Sequence, residues 1–180
     1  MNTTVLVLPG WQNSGPLHWQ TLWEQQNHGF KRVLQQDWET PRRCDWVARI
    51  AEELRQAPGP VVFVGHSLGC IAVAHSCQSA PSEINKVRGA LLVAPADVDR
   101  ADMPAQIRDF APIPCRRLPF PSMVIASNDD PYLTIERAQE LAEMWGGQFL
   151  NIGSAGHINS ESGLGDWPDG KRMLRRLLEM

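Results

Sequence analysis

The sequence has no excess of positive charge. Lysine and arginine together number 17 against 20 aspartates and glutamates, which gives a net charge of −3 at neutral pH. Proteins that bind a nucleic-acid backbone or an anionic membrane surface usually carry a basic patch. The composition therefore argues against nucleic-acid and membrane partners, and we expect a small-molecule substrate.

Long apolar runs are also missing. No stretch approaches the roughly 20 apolar residues that are needed to cross a bilayer. Residues 1–9 contain no basic segment and too few apolar residues for a secretory signal. We therefore expect a cytoplasmic protein.

Cysteine and histidine are sparse and scattered. The 4 cysteines form no Cys-x-x-Cys pair, and no two of the 5 histidines have the His-x-x-x-His spacing. Disulfides are uncommon in cytosolic proteins, so we interpret the cysteines as free thiols. We expect neither a metal nor another cofactor, and the sequence predicts no oligomeric state.

Six short apolar segments alternate with segments of helical periodicity. We predict strands at 4–8, 32–35, 61–64, 90–94, 123–126 and 148–152, and helices at 17–26, 45–56, 68–79, 134–145 and 169–178. This alternation is typical of an α/β fold, a parallel sheet with helices on both faces. The length of 180 residues fits one domain, 1–180, with ligands at the carboxyl ends of the strands.

Residues 96–121 interrupt the alternation. They include five prolines and no sustained periodicity beyond a short turn near 104–110. Proline fixes φ and removes a hydrogen-bond donor, so we predict a short, irregular surface flap across the strand ends instead of a helical cap. A flap of this size leaves the cleft shallow, which favours short acyl groups.

A Gly-x-Ser-x-Gly motif follows the third predicted strand. It reads Gly65-His66-Ser67-Leu68-Gly69 and leads into a helix rich in small residues. In a strand-turn-helix of this kind the glycines allow close packing, and the central serine projects its hydroxyl above the sheet. We therefore predict that Ser67 is a nucleophile.

A serine nucleophile needs an imidazole base and a carboxylate that orients it. Asp129 and Asp130 follow the fifth predicted strand, and His157 follows the sixth, which is the α/β-hydrolase order. We choose His157 as the base, because the other histidines lie in helical segments or beside the serine. We choose Asp130 as the acid, because the next residue, a proline, fixes its turn. Asp129 and Asp97 stay as alternatives.

The oxyanion of an acyl-transfer reaction needs two backbone N–H donors. In this fold one comes from the residue after the nucleophile, here Leu68, and the other from the loop after the first strand. We favour Trp11 over Gln12 for the second donor, because the preceding glycine allows a tight bend. The choice between these two residues stays open.

Aromatic and polar residues near these loops are candidates for the substrate cleft. They are Gln12, His18, Trp19 and Tyr132. Alternatively, Trp19 and Trp23, four residues apart, form the buried face of the first helix. For Trp23 we prefer that interpretation.

These motifs together resemble the small serine hydrolases of the retinoblastoma-binding-protein and YdeN type, over the whole chain. The residues that carry the resemblance are the Pro9-Gly10-Trp11 loop with Gly15-Pro16-Leu17-His18-Trp19, the Ser67 turn, Asp129-Asp130-Pro131-Tyr132 and Gly156-His157-Ile158-Asn159. The resemblance implies Asp130 as the acid and a reduced α/β-hydrolase fold, a three-layer sandwich with six parallel strands in order 2-1-3-4-5-6. No cysteine lies in a Leu-x-Cys-x-Glu motif, so we do not expect a retinoblastoma-type partner.

We therefore expect a serine hydrolase that cleaves a carboxylic ester of a small substrate, or an amide or thioester, through an acyl-Ser67 intermediate. Two alternatives remain. One is an acyltransferase with the same three residues, which product analysis with alcohol acceptors would reveal. The other is a catalytically weak binding protein on the same fold, which would fail to react with a fluorophosphonate.

Overall fold

A computed structural model of the chain describes residues 3–179. The strands are β1 Thr4–Leu8, β2 Phe30–Arg32, β3 Val61–His66, β4 Val87–Val93, β5 Ser122–Ala126 and β6 Gln148–Asn151. The α-helices are α1 Trp19–Gln26, α2 Arg43–Gln56, α3 Leu68–Ser79, α4 Pro81–Ile84, α5 Ile135–Trp145 and α6 Pro168–Leu178.

The strands form one parallel sheet in the order β2-β1-β3-β4-β5-β6. The side on which the next strand is added changes between β1 and β3. The chain first places β2 on one side of β1, and then adds β3 to β6 on the other side. At this point Val7 of β1 pairs with Val64 of β3. Loops that follow neighbouring strands on either side of such a point diverge and leave a crevice at the carboxyl ends. The predicted fold class and strand order are confirmed.

Alternate residues of each strand face opposite layers of helices. In β3, Phe63 belongs to the core that contains Trp46 of α2, together with side chains of α3 and α5. Its neighbours Val62 and Val64 belong to the core that contains Trp23 of α1, together with side chains of α6. Both faces of the central strands are therefore buried, which explains their almost continuous apolar sequence.

Most predicted element boundaries agree with the structure to within a few residues, but β2 lies earlier than predicted. It covers Phe30–Arg32 instead of 32–35, although the N–H of Val33 still donates to the carbonyl of Val7. The short helix α4 was not predicted, because four residues show no periodicity. Neither difference moves a residue of the site described below.

Residues 96–121 pack more closely than the predicted surface flap. They contain a 3-10 helix, Ala105–Phe110, which packs against α3. Their buried side chains include Val98, Met103, Ile107, Phe110, Ile113, Leu118 and Phe120. The predicted surface flap is therefore wrong in one respect, because its apolar side chains are buried instead of lying at the surface. The prolines break regular structure but leave the apolar side chains free to join the core.

Candidate active site

Ser67 lies in the sharp turn between β3 and α3. Its backbone has φ 54° and ψ −123°, a region that residues with a side chain rarely adopt. A Cβ atom at Gly69 would overlap the carbonyl oxygens of Leu8 and Pro9, so only glycine lets the first turn of α3 pack against the end of β1. This packing holds the strained turn in place, with the Ser67 side chain at the end of the strand.

Ser67, His157 and Asp130 form one hydrogen-bonded chain. Nε2 of His157 lies 2.8 Å from Ser67 Oγ, and Nδ1 lies 2.9 Å from each carboxylate oxygen of Asp130. The Asp130 side chain has no exposed surface, and its Oδ1 also accepts the N–H of Tyr132. A carboxylate at Nδ1 keeps the ring proton there, so the lone pair of Nε2 faces the serine hydroxyl.

Two further side chains hold the loop that carries His157. Oδ1 of Asp129 accepts the N–H groups of Ala155 and Gly156 at 2.9 and 2.8 Å. Nε2 of His66 lies 2.9 Å from the carbonyl oxygen of His157, so this nitrogen carries a proton and donates it. The sequence analysis gave His66 no role. Their positions in the sequence could have indicated both roles, because Asp129 directly precedes Asp130 and His66 directly precedes Ser67.

The two alternative acids have other partners. Asp129 binds the backbone as described, and Asp97 forms an ion pair with Arg137 at 3.3 Å. Arg137 also pairs with Asp99 at 2.9 Å, so this group ties the start of α5 to the segment after β4. Of the three acids considered from the sequence, Asp130 is the one hydrogen-bonded to His157.

The backbone near Ser67 distinguishes between the two residues considered for the second oxyanion donor. The N–H of Gln12 already donates to the carbonyl of Trp38 at 3.0 Å. For the N–H of Trp11, no backbone acceptor is found within residues 3–179. Leu68 is the first residue of α3, where a backbone N–H has no acceptor inside the helix. Leu68 and Trp11 therefore have N–H groups available for a ligand.

Ser67 and His157 border a cleft of about 330 Å³. Gln12, His18 and Tyr132 line it, as the sequence analysis predicted, and the Tyr132 ring lies edge-on to His157 with 4.7 Å between ring centroids. The residues around 96–121 contribute Ala96, Met103, Pro104 and Ile107. Within the described part of the chain, no Asp, Glu, Lys or Arg side chain lines this cleft.

Trp19 lies outside the cleft, so its prediction as a cleft residue is wrong. Its side chain is 1% exposed and packs against Trp23 and Trp167, with ring centroids 4.7 and 5.1 Å away. Its Nε1 donates to the carbonyl of Ile158 at 2.8 Å. The interpretation of Trp19 and Trp23 as one buried helix face is therefore correct for both residues.

His18 and His66 are buried, neutral side chains at the wall of the cleft. Nδ1 of His18 accepts the N–H of Gln20 at 3.2 Å and so caps α1. Burial, reinforced by the charges of Arg32 and His157, lowers the pKa of His18 to about 3. Burial also holds the pKa of His66 well below its usual range. Near pH 7 both rings therefore offer hydrogen-bonding groups without a charge.

A second depression, of about 530 Å³, lies at the opposite end of the sheet. It is lined by Ser122 and Gln148, the first residues of β5 and β6, and by Arg117. Parallel sheets bind their ligands at the carboxyl ends of the strands, so its larger volume does not make it the active site.

Residues 3–179 contain neither a candidate membrane span nor a candidate metal site. None of the helices in this range is both long enough and apolar enough to span a bilayer. In the same range, no three side chains of His, Cys, Asp or Glu come together as a potential metal site.

Residues 5–176 match the family model described as serine hydrolase. No curated protein sequence matches the chain.

Solved structures resemble the chain over nearly its whole length. A YdeN-like hydrolase from Pectobacterium atrosepticum is 32% identical, with a TM-score of 0.87 over 99% of this chain and 91% of that one. The ydeN gene product of B. subtilis is 18% identical, with a TM-score of 0.76 over 99% and 100%. Est1E from Butyrivibrio proteoclasticus, solved with ferulic acid, is 10% identical, with a TM-score of 0.73 over 99% and 90%. The last two show similarity of fold alone.

Proposed function

Because the chain belongs to the serine hydrolase family, we propose that it hydrolyses carboxylic esters of small substrates through an acyl-Ser67 intermediate. The observation that carries this proposal is the hydrogen-bonded chain from Asp130 through His157 to Ser67 at the edge of the cleft. It supplies a nucleophile, a base and an orienting acid within direct hydrogen-bond distance.

In the first step, Ser67 Oγ attacks the ester carbonyl carbon while its proton passes to Nε2 of His157 over the 2.8 Å hydrogen bond. Asp130 stabilises the imidazolium that forms. The tetrahedral intermediate collapses when His157 returns the proton to the leaving alcohol oxygen, which breaks the ester bond. A water molecule, deprotonated by His157, then attacks the acyl-serine. The carboxylic acid leaves as His157 returns the proton to Ser67 Oγ, which restores the free enzyme.

The developing oxyanion would be stabilised by the N–H groups of Leu68 and Trp11. The engagement of the Gln12 N–H with Trp38 supports Trp11 as the second donor. The Trp11 indole also donates to the carbonyl of Glu39 at 2.9 Å, which holds this residue in place. Fixed donors of this kind favour the transition state because they need no reorganisation when charge develops.

The size of the cleft supports a small acyl group. A volume of about 330 Å³ is near the lower end of the usual range for small-molecule sites. Met103 and Ile107 are buried in the core and cannot move aside without cost, so they limit the depth on that side. We infer that short-chain esters are the preferred substrates.

The experiment that tests this proposal is a kcat/KM series on p-nitrophenyl esters with the variants Ser67→Ala and Ser79→Ala. Ser79 lies exposed at the last residue of α3 and is a matched control for the loss of a hydroxyl. We expect Ser67→Ala to reduce turnover by several orders of magnitude and Ser79→Ala to retain it. Hydrolysis by Ser67→Ala at the wild-type rate would exclude the proposal.

The location of the protein and its domain organisation stay predictions, because they rest on composition and length. The family assignment implies a small-molecule substrate. We propose a cytoplasmic location and one domain over residues 1–180, although Met1, Asn2 and Met180 lie outside the described residues.

A further inference from the structure

The wall of the cleft contains a buried hydrogen-bond donor without an acceptor. His18 lines the cleft and is 4% exposed. Its Nδ1 accepts a backbone N–H, so the neutral ring carries its proton on Nε2. Within residues 3–179, no hydrogen-bond partner is found for this Nε2. Buried donors are normally satisfied, and one left unsatisfied beside a nucleophile points to a ligand.

The ring of His18 is held rigidly. Gln20, whose N–H it accepts, is fully buried, and its side-chain amide donates to the carbonyls of Leu8 and Val64. The His18 ring also packs edge-on against the His66 ring, with 4.7 Å between ring centroids. Reorientation of the ring to find another acceptor would break the cap of α1. The donor therefore keeps its direction. Because Nε2 has almost no exposed surface, the neighbouring wall of the cleft, and not the His18 ring, must shift slightly to admit a substrate oxygen.

We propose that Nε2 of His18 donates a hydrogen bond to an uncharged oxygen of the substrate, such as an ether, hydroxyl or carbonyl oxygen near the scissile ester. This inference rests on the proposed esterase function. The acceptor is uncharged because none of the described lining side chains is a cation that could balance a carboxylate. The substrate class is thus an ester of a small, oxygenated acid or alcohol.

Two substitutions separate the donor from the helix cap. His18→Asn keeps a preferred N-cap acceptor but is too short to place a donor at Nε2. His18→Gln can place its amide N–H near the Nε2 position but loses the cap geometry. If His18 acts only as a cap, the asparagine variant resembles the wild type in every assay. If it binds substrate, the glutamine variant retains more of the selectivity.

The probes are two pairs of esters that differ by one oxygen in place of a methylene. p-Nitrophenyl methoxyacetate and p-nitrophenyl butyrate test an acceptor in the acyl part. 2-Methoxyethyl butyrate and butyl butyrate test an acceptor in the alcohol part. Each kcat/KM is divided by the rate constant for hydroxide hydrolysis, which removes the difference in intrinsic reactivity. The selectivity is the oxygenated-to-alkyl ratio within a pair.

We expect His18→Asn to lower this selectivity about tenfold in one of the two pairs, and His18→Gln to lower it less. Urea denaturation of both variants reports the loss of the cap separately. Wild-type selectivity in both pairs for His18→Asn, with all esters hydrolysed, would overturn the role of His18 alone. If the wild type hydrolyses none of the four esters, the proposed function fails and this inference fails with it.

Discussion

The substitution Asp130→Asn tests the chemical role of the acid with almost no change in shape. In the structure, Asp130 accepts from Nδ1 of His157 with both oxygens and from the N–H of Tyr132 with Oδ1. Asparagine can keep its oxygen at the Tyr132 N–H. Its NH₂ group then replaces the second oxygen, 2.9 Å from Nδ1.

The retained oxygen also lies 2.9 Å from Nδ1, but the neighbouring NH₂ group donates and so raises the population of the histidine tautomer with its proton on Nε2. In that tautomer an N–H, and not a lone pair, faces Ser67 Oγ, so the base cannot take the serine proton. The imidazolium also loses its counter-charge. In triad enzymes this change lowers kcat by about 10⁴, equivalent to roughly 5.5 kcal/mol in the activation barrier. We expect a loss of about 10³ to 10⁴ here, with little change in KM for a weakly bound ester.

Asp129→Asn is the matched control, since the same substitution is made one residue away. The hydrogen bonds from Ser127 and Gly156 hold the pKa of Asp129 below its usual range. All of its hydrogen bonds go to Oδ1, an atom that asparagine keeps. Steady-state kinetics on p-nitrophenyl butyrate should therefore show a far smaller loss than for Asp130→Asn. An equal or larger loss in Asp129→Asn would refute the assignment of the acid.

Three further predictions concern pH, packing and substrate size. The folded-state pKa of His18, about 3, lies below its value of 6.5 in the unfolded chain, so the unfolded state binds the extra proton. As the pH is lowered from 6.5 to 3, the free energy of unfolding should fall by up to about 1.4 kcal/mol per pH unit. Urea denaturation of His18→Asn should show a shallower fall over the same range, and equal slopes for the variant and the wild type would contradict this. Trp19→Phe removes the Nε1 hydrogen bond to Ile158 and should lower the free energy of unfolding by about 1–3 kcal/mol. The preference for acyl length should stay the same, because Trp19 lies outside the cleft. A changed preference would show that Trp19 contacts the substrate. Across p-nitrophenyl esters, kcat/KM should peak at roughly two to four carbons, because each further methylene gains about 0.8 kcal/mol only where it is buried; a steady rise to eight carbons would indicate a deep pocket.

The parts of the fold that depend on local pattern were predictable from the sequence. The turn at Ser67 has a compact signature, because a strained strand-to-helix turn requires small residues at fixed positions. Buried parallel strands such as β3 and β4 contain long apolar runs, 61–64 in β3 and 90–93 in β4. The strand order came from the resemblance to known hydrolases, since alternation alone does not fix which strands are neighbours.

The features that the sequence did not reveal depend on tertiary contacts. Trp19 begins α1, and its spacing to Trp23 fits a helix face without showing whether that face meets the core or the cleft. His66 is a strand residue whose partner, the carbonyl of His157, lies 91 positions away. The apolar side of 96–121 was hidden by its prolines, which remove periodicity but do not prevent burial. In each case the deciding contact joins distant segments.

The central claim is that Ser67 is the activated nucleophile. The most direct measurement is reaction with a fluorophosphonate, followed by intact-mass analysis and peptide mapping of the wild type, Ser67→Ala and Ser79→Ala. Our account predicts one phosphonyl group per chain on Ser67, the same adduct in Ser79→Ala and none in Ser67→Ala. An adduct on another residue, or equal labelling of Ser67→Ala, would contradict it.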